Sequence, residues 1–329
     1  MKISKASFFL VLCINAKNVP QNTTTEITTT KPTTALNSTD FADRIQLKEG
    51  FNFIAAREAY FNFDGKKNAV MNFKYALVKG VLYAFGGTPD YKQIFKYEGC
   101  KWEDWKLLPA KLQEDRGFGS SALTMPSGEE ALICFDHLSL STSCELFDCT
   151  KSEKLPFHSS FTHSTGGLGL YKNQPATVGC YENKHNKAEA LFDFGWIALP
   201  DHPLEIRSHS LVGLDNGAML LLGGYALNFP QQLIWKLDFY DDNKEHMWWP
   251  IGELKQKNYR ATAFYDNRSI YFYGGVVAPY HNQRIDLDED EKIKEVVLLS
   301  ENSAKFRYPI LFPFKTDDPC YDYYMNPRV

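Results

Sequence analysis

Six basic or titratable side chains stand close ahead of short apolar runs: Arg116, His163, Arg207 with His209, Arg260 and Arg307. Guanidinium groups carry a rigid fork of donors that matches carboxylate and phosphate oxygens, so such a set suits an acidic peptide or an acidic glycan. The competing use is structural. A buried Arg or His can tie one element to the next through neighbouring carbonyls, because a buried polar group must be satisfied somewhere. Aromatic residues accompany these groups in segments that read as loops, namely Tyr91, Tyr181, Tyr225, Phe229 and Tyr280, with His185 and His281 beside them. Such rings offer large apolar area, and Tyr a polar tip, which serves protein or sugar contact as well as ordinary loop packing.

Other chemistries find little support in the residues. Gly-x-Ser-x-Gly, His-Glu-x-x-His and phosphate-loop patterns are absent, and so is any Cys-x-x-Cys pair. The acidic run Asp286 to Glu291 lacks the spaced ligands and central glycine of a calcium loop and reads as a solvated hairpin turn. The expectation is therefore a chain with no catalytic residues, no cofactor and no metal site. A formal net charge of -4 supplies no basic reservoir for a nucleic-acid backbone.

The ends of the chain carry compartment signals. Lys2 and Lys5 precede the apolar run Phe8 to Ile14, which closes on Asn15-Ala16, the order of a secretory signal peptide over residues 1–16. That run is well short of the roughly 20 apolar residues a spanning helix needs, so no membrane span is expected. Residues 17–43, rich in Thr with Pro20 and Pro32, have almost nothing to bury and read as a disordered, O-glycosylated stalk. Asn-x-Ser/Thr acceptors occur at Asn22, Asn37 and Asn267. Past the leader, Cys100, Cys134, Cys144, Cys149, Cys180 and Cys320 remain, an even set that suggests up to three disulfides in an oxidising compartment. Cys144 and Cys149, five apart on one strand, point to opposite faces and should not pair with each other.

What must position the basic groups is a repeat. Tyr75 to Gly87 reads as two apolar strands about a tight turn, closed by a glycine pair, and the same shape recurs at His209 to Gly224 and Ala261 to Gly275. Degenerate copies lie at Ala122 to Phe135 and Gly169 to Gly179. Taking Gly86, Phe135, Gly179, Gly223 and Gly274 as equivalent gives a repeat of about 44 to 51 residues. Third and fourth strands follow, as in Gln93 to Tyr97 and Trp105 to Pro109, or Ile234 to Tyr240 and Trp248 to Ile251. Each unit is then a four-stranded antiparallel sheet with two faces to bury, so neighbours must stack.

The glycine pairs at 86, 223 and 274, with the Tyr-then-Trp spacings Tyr97 to Trp105 and Tyr240 to Trp248, resemble the kelch repeat, the blade of a β-propeller such as the central domain of galactose oxidase. The resemblance covers residues 44–315, leaving 316–329 as a C-terminal tail. It implies an all-β, six-bladed kelch-type propeller. In the sixth blade, Glu58 to Phe63 would supply a late strand and Arg307 to Phe314 a first strand, closing the ring by pairing the N- and C-terminal strands. It also implies that ligands meet the face where first strands begin and second-to-third-strand loops project, which places the collar of basic groups and the loop aromatics together. Intracellular kelch adaptors carry a BTB domain; none is expected ahead of residue 44, and the leader points outside the cell. The expected function is a secreted glycoprotein acting as an extracellular binding or matrix module for a protein or glycan. The alternative is a carbohydrate-acting propeller enzyme of galactose oxidase type, to whose Tyr-His pair Tyr280-His281 is weakly similar.

Overall fold

The computed structural model describes residues 72–100, 105–240, 245–302 and 305–314, together with the backbone of four strands between residues 42 and 69. The leader, most of the Thr-rich stretch with Asn22 and Asn37, and Cys320 lie outside the described residues. The chain is all-β. Strands β1 (Ala42–Gln46), β2 (Asn52–Ala56), β3 (Tyr60–Phe63) and β4 (Lys66–Ala69) come first. The first blade is β5 (Lys74–Val78), β6 (Val81–Phe85), β7 (Gln93–Tyr97) and β8 (Trp105–Lys111). The second is β9 (Ser121–Thr124), β10 (Ala131–Cys134), β11 (Ser143–Phe147) and β12 (Ser152–His158), and the third is β13 (Gly169–Tyr171), β14 (Gln174–Val178), β15 (Ala188–Phe192) and β16 (Gly195–Leu199). The fourth, β17 (Ser210–Gly213), β18 (Met219–Leu222), β21 (Leu233–Tyr240) and β22 (Glu245–Glu253), carries an inserted hairpin, β19 (Tyr225–Ala226) with β20 (Phe229–Pro230). The fifth is β23 (Ala261–Asp266), β24 (Ser269–Gly274), β25 (His281–Leu287) and β26 (Ile293–Glu301), and β27 (Ile310–Phe314) ends the described chain.

Residue patterning explains this layering. Second strands such as β10 and β18 are buried at every position because both faces of their sheet meet a neighbouring blade. Fourth strands such as β8 and β12 alternate toward solvent at the outer edge. The cores lie between blades: Phe85, Ile94 and Leu112 pack with Ile133 and Phe147 between the first and second, and Leu220, Leu222 and Ile234 pack with Ile270, Phe272 and Ile285 between the fourth and fifth. Each such side chain contributes about 1.5–3 kcal/mol on burial, and none of it is available to a blade standing alone.

The five positions equated by spacing share one backbone state. Gly86, Phe135, Gly179, Gly223 and Gly274 have φ of 69°, 65°, 68°, 60° and 79°. At Gly86 and Gly179 a Cβ would lie 1.9 Å from the carbonyl oxygens of Arg116 and Ile206, so the glycines are required by contact as well as by φ.

The blade count differs from the expectation: among the described residues there are five four-stranded blades, not six. β2 pairs β27 from Asn52↔Phe314 to Ala56↔Ile310, in a three-stranded sheet of order β1-β2-β27. The segment expected as a late strand, Glu58 to Phe63, contributes β3, which pairs with β4 in the register Phe63↔Lys66. Asp64-Gly65 between them is a two-residue hairpin signal. Closing that short loop costs far less chain entropy than recruiting a partner from the other end of the chain. Near β27, Tyr75 Oη donates to the Pro309 carbonyl at 3.1 Å and accepts from Leu311 N at 3.1 Å, and Phe306 bridges Gly275.

Cys134 and Cys144 face each other across β10 and β11 and form a disulfide. Cys100 is also disulfide-bonded. Cys149 and Cys180 are free thiols, so the even set does not pair completely.

Candidate functional site at the mouth of the propeller

The linkers that enter the first strands sort the expected basic collar into three tiers. Backbone hydrogen bonds run from linker to linker at one end of the blades: Thr165 N donates to Gly119 O, Ser208 N to Thr165 O, Arg260 N to Ser208 O and Tyr308 N to Arg260 O, at 2.9, 2.8, 2.8 and 2.7 Å. All five residues have positive φ, from 47° at Tyr308 to 88° at Gly119. Four of them are not glycine, and left-handed backbone at such residues is costly and concentrates where a site is being shaped. Tyr308 Oη shares a 3.0 Å hydrogen bond with Ser208 Oγ, and the Arg260 guanidinium lies 5.7 Å from the Phe118 ring of a distant linker. The side chains of this tier therefore meet across the axis.

Two residues earlier in the linkers stand Arg116 (one residue further back), His163, Ile206, Asn258 and Phe306, all buried. Here Arg116 and His163 act as struts. Arg116 Nε donates to Glu145 Oε1 at 3.0 Å, Nη1 donates to the carbonyls of Phe135 and Ser143, each at 3.2 Å, and Nη2 donates to Ser143 Oγ at 3.1 Å. His163 places Nε2 2.9 Å from Glu189 Oε2 and Nδ1 3.0 Å from the Gly179 carbonyl. Glu145 and Glu189 also accept the backbone N–H groups of Gln113 and Ser160, which locks each linker to the third strand of the blade it enters. Burial alone would raise the Glu189 carboxyl; His163 and Ser160 hold it below its ordinary value.

Between these tiers lie Arg207, Tyr259 and Arg307. The Arg207 guanidinium sits 4.3 Å from the Tyr181 ring centroid and 4.9 Å from that of Tyr225. Tyr225 is itself braced, with its hydroxyl donating to Asn228 O at 2.8 Å and its ring 5.1 Å from Tyr259. Among the described residues neither Arg207, Arg260 nor the exposed Arg307 has a carboxylate partner, unlike Arg116 with Glu145 or Arg284 with Asp286. Lys74 adds a further cation, 4.6 Å from the Tyr308 ring. Burial raises the Tyr308 phenol, while hydrogen bonds with the Ser208 and Arg260 side chains and the charges of Arg260 and Arg207 pull it back, so these groups share one electrostatic neighbourhood.

The remaining expected residues are scattered around this core. His209 is buried, and burial pushes its pKa down to about 3. Tyr91 is half-buried against Gly117, where a Cβ would come within 2.9 Å of its ring. Phe229 is 65% exposed beside Leu227 on the β19–β20 hairpin. Tyr280 is half-buried ahead of β25, next to His281, and His185 Nε2 faces Thr162 O at 2.8 Å. Asn267 is exposed in the tight turn between β23 and β24, at the opposite end of the blade from the mouth. Sequence reasoning missed Phe118, Thr165, Ser208, Tyr259, Tyr308 and Lys74. The signal was present in the parallel triplets Ile206-Arg207-Ser208, Asn258-Tyr259-Arg260 and Phe306-Arg307-Tyr308, which show that Arg260 stands one place further along than Arg207 and Arg307.

Neither a protein-family model nor a curated protein matches the chain. Solved structures do match. YjhT aligns with a TM-score of 0.57 and 13% identity over 81% of this chain and 96% of its own. A fungal alcohol oxidase of the AA5 family, in complex with copper, aligns with a TM-score of 0.56 and 12% identity over 82% of this chain and 69% of its own. At such identities the likeness shows the fold, a β-propeller, and nothing finer. Among the described residues no three His, Cys, Asp or Glu side chains gather into a group.

Proposed function

We propose that this chain is a secreted glycoprotein whose propeller serves as an extracellular binding module, taking an acidic protein segment or acidic glycan at the mouth, without a catalytic role. The observation that carries this reading is Arg207, held between Tyr181 and Tyr225 with no carboxylate partner among the described residues. A guanidinium so placed keeps its donor edge free for an incoming carboxylate, and the rings supply apolar contact around it. Disulfides at Cys134–Cys144 and Cys100 suit an oxidising compartment. The leader, the stalk and a glycan on Asn267 belong to the same reading, the last on the face away from the mouth. The contacts of Tyr75 with Pro309 and Leu311 support a terminal sheet that joins the fifth blade to the first; truncation before Phe306 should abolish cooperative folding, and a stable soluble product would refute that junction.

The function is tested by screening the secreted protein against glycan and secretome arrays, then repeating positive binding with Arg207→Ala. Loss of binding with unchanged melting supports the site, and loss of melting temperature marks Arg207 as another strut.

A further inference from the structure

The β19–β20 hairpin puts a leucine where backbone and burial both argue against one. Leu227 and Asn228 form a two-residue turn with φ of 52° and 65°, closed by the Ala226↔Phe229 pair. Such turns favour asparagine and glycine, and left-handed backbone is costly for a bulky apolar residue. Three other hairpins turn through the same pair of states, at Lys79-Gly80, Lys172-Asn173 and Asn267-Arg268, and each opens on a polar residue. Those three lie at the ends of the blades away from the mouth. The hairpin between β18 and β21 joins a second strand to a third and so stands at the mouth, and it carries Leu227 at 70% exposure with Phe229 beside it. Leu140, the other leucine in left-handed backbone among the described residues, is likewise exposed in a second-to-third-strand loop at the mouth. Burial gives none of these side chains a reason to be apolar. The hairpin tip is nevertheless fixed: Tyr225 Oη donates to Asn228 O, and Gln231 Nε2 donates to the carbonyls of Ala226 and Phe229 at 2.9 and 3.0 Å.

Tyr225 joins this tip to Arg207. Its ring lies 4.9 Å from the guanidinium, its backbone bridges that of Arg207, and its hydroxyl reaches the turn, so one side chain separates the charge from the apolar tip. We propose that the hairpin tip and Arg207 together hold a protein segment in which a carboxylate side chain stands close to a bulky apolar one, the carboxylate on Arg207 and the apolar group on Leu227 and Phe229. This rests on the mouth being the binding face and names the class of ligand it takes. Charge argues for the carboxylate, since Arg207 and the exposed Arg307 have no carboxylate partner among the described residues. The tip argues for protein over glycan. A sugar carries hydroxyls around its ring that a leucine cannot answer, whereas an apolar side chain gives up no hydrogen bond by covering it. A second copy of this chain fits less well, because a two-fold contact at the mouth sets the cations of one copy against those of the other. With the tip already fixed, binding has little of the hairpin left to order.

The test measures binding of the full chain to short peptides in a glycine-serine background that carry one glutamate and one phenylalanine at varied spacing. Matched peptides replace the glutamate by glutamine or the phenylalanine by alanine. At the best spacing the intact peptide should bind about tenfold more tightly than either matched peptide. Leu227→Asn should remove about that factor for the intact peptide and leave the alanine peptide unaffected. It should also hold or raise the melting temperature, since asparagine suits the left-handed turn. Phe194→Ala, in the exposed β15–β16 turn at the far end of the third blade, should leave peptide binding unchanged. The proposal is overturned if none of the peptides binds, if intact-peptide affinity survives Leu227→Asn, or if that variant lowers the melting temperature and so marks Leu227 as a packing residue. It is equally overturned if Leu227→Asn abolishes binding to phosphatidylserine vesicles, or a dimer seen in sedimentation, while peptide affinity does not move. If an array ligand requires Arg207 but is indifferent to Leu227→Asn, the apolar subsite falls and the binding face stands. If no array ligand requires Arg207, both fall.

Discussion

The mouth has two unlike halves. On the side of the second and third blades, Arg116 and His163 are fully buried and each meets a buried carboxylate, Glu145 or Glu189. On the side of the fourth and fifth blades, Arg207 and Arg260 lie against aromatic rings, Arg260 also beside the Tyr308 hydroxyl, and neither has a carboxylate partner among the described residues. The residue types are alike and the linkers are equivalent, so the difference comes from position within the linker. A basic group at the inner position falls between blades and must be neutralised there. The same group one or two places later faces the mouth, where a fixed carboxylate would compete with any anionic ligand. Residue type alone therefore does not separate a strut from a contact.

Breaking the first half should have the largest effect. Arg116→Ala leaves Glu145 charged, buried and unpaired in its guanidinium contact, and should destabilise the protein by about 3–5 kcal/mol in chemical denaturation. Replacing Arg116 and Glu145 together by apolar residues should recover much of that loss, because the pair's own desolvation penalty disappears with it.

An acid titration should separate the halves next. His202 and His209 are buried, and burial lowers their folded pKa values to about 4 and about 3 from 6.5. A histidine whose pKa is depressed on folding stabilises the protein fully above its unfolded value and loses that contribution as pH falls below it. Each should cost ~2–3 kcal/mol by pH 4.5, as order-of-magnitude figures. Glu189 and Glu114, both held below the ordinary carboxyl value, add further loss only below about 4.5. Urea denaturation between pH 7 and 4.5 checks this, and His209→Asn should flatten the early part of the acid limb. An unchanged slope would place His209 in a wetter setting than its burial indicates.

A smaller effect is expected at the rings that brace the second half. Tyr225→Leu removes one face of the Arg207 stack and the hydroxyl bond to Asn228, and should cost about 1 kcal/mol or less in stability. Its larger consequence should be for ligand affinity.

How much was legible in the sequence varies with the physical rule involved. Alternation and the glycine spacing placed the first two strands of all five blades and the third and fourth strands of the first four, including the second blade, where Phe135 takes a glycine-like φ of 65°. The blade count failed because alternation states that a segment is a strand without naming its partner, and Asp64-Gly65 decided that locally for β3 and β4. Cys144 and Cys149 do not pair, but Cys149 lies past the end of β11 in a bend with φ 83°, so strand alternation was not the reason, and the pairing of Cys134 with Cys144 depends on the register of β10 against β11. At the mouth, the basic and aromatic residue types were readable. The tiers were not, because a shift of one residue in an irregular linker changes which way a side chain points and no periodic pattern reports it.

The central claim is that the uncompensated half of the mouth binds an acidic ligand while the compensated half holds the blades together. It is tested most directly by measuring, on one array-identified acidic ligand, the affinity and melting temperature of the Arg207→Ala, Arg260→Gly double variant beside wild type. The account predicts at least a tenfold loss of affinity with melting within a few degrees of wild type. Undiminished affinity, or a collapse of melting like that expected for Arg116→Ala, would contradict it.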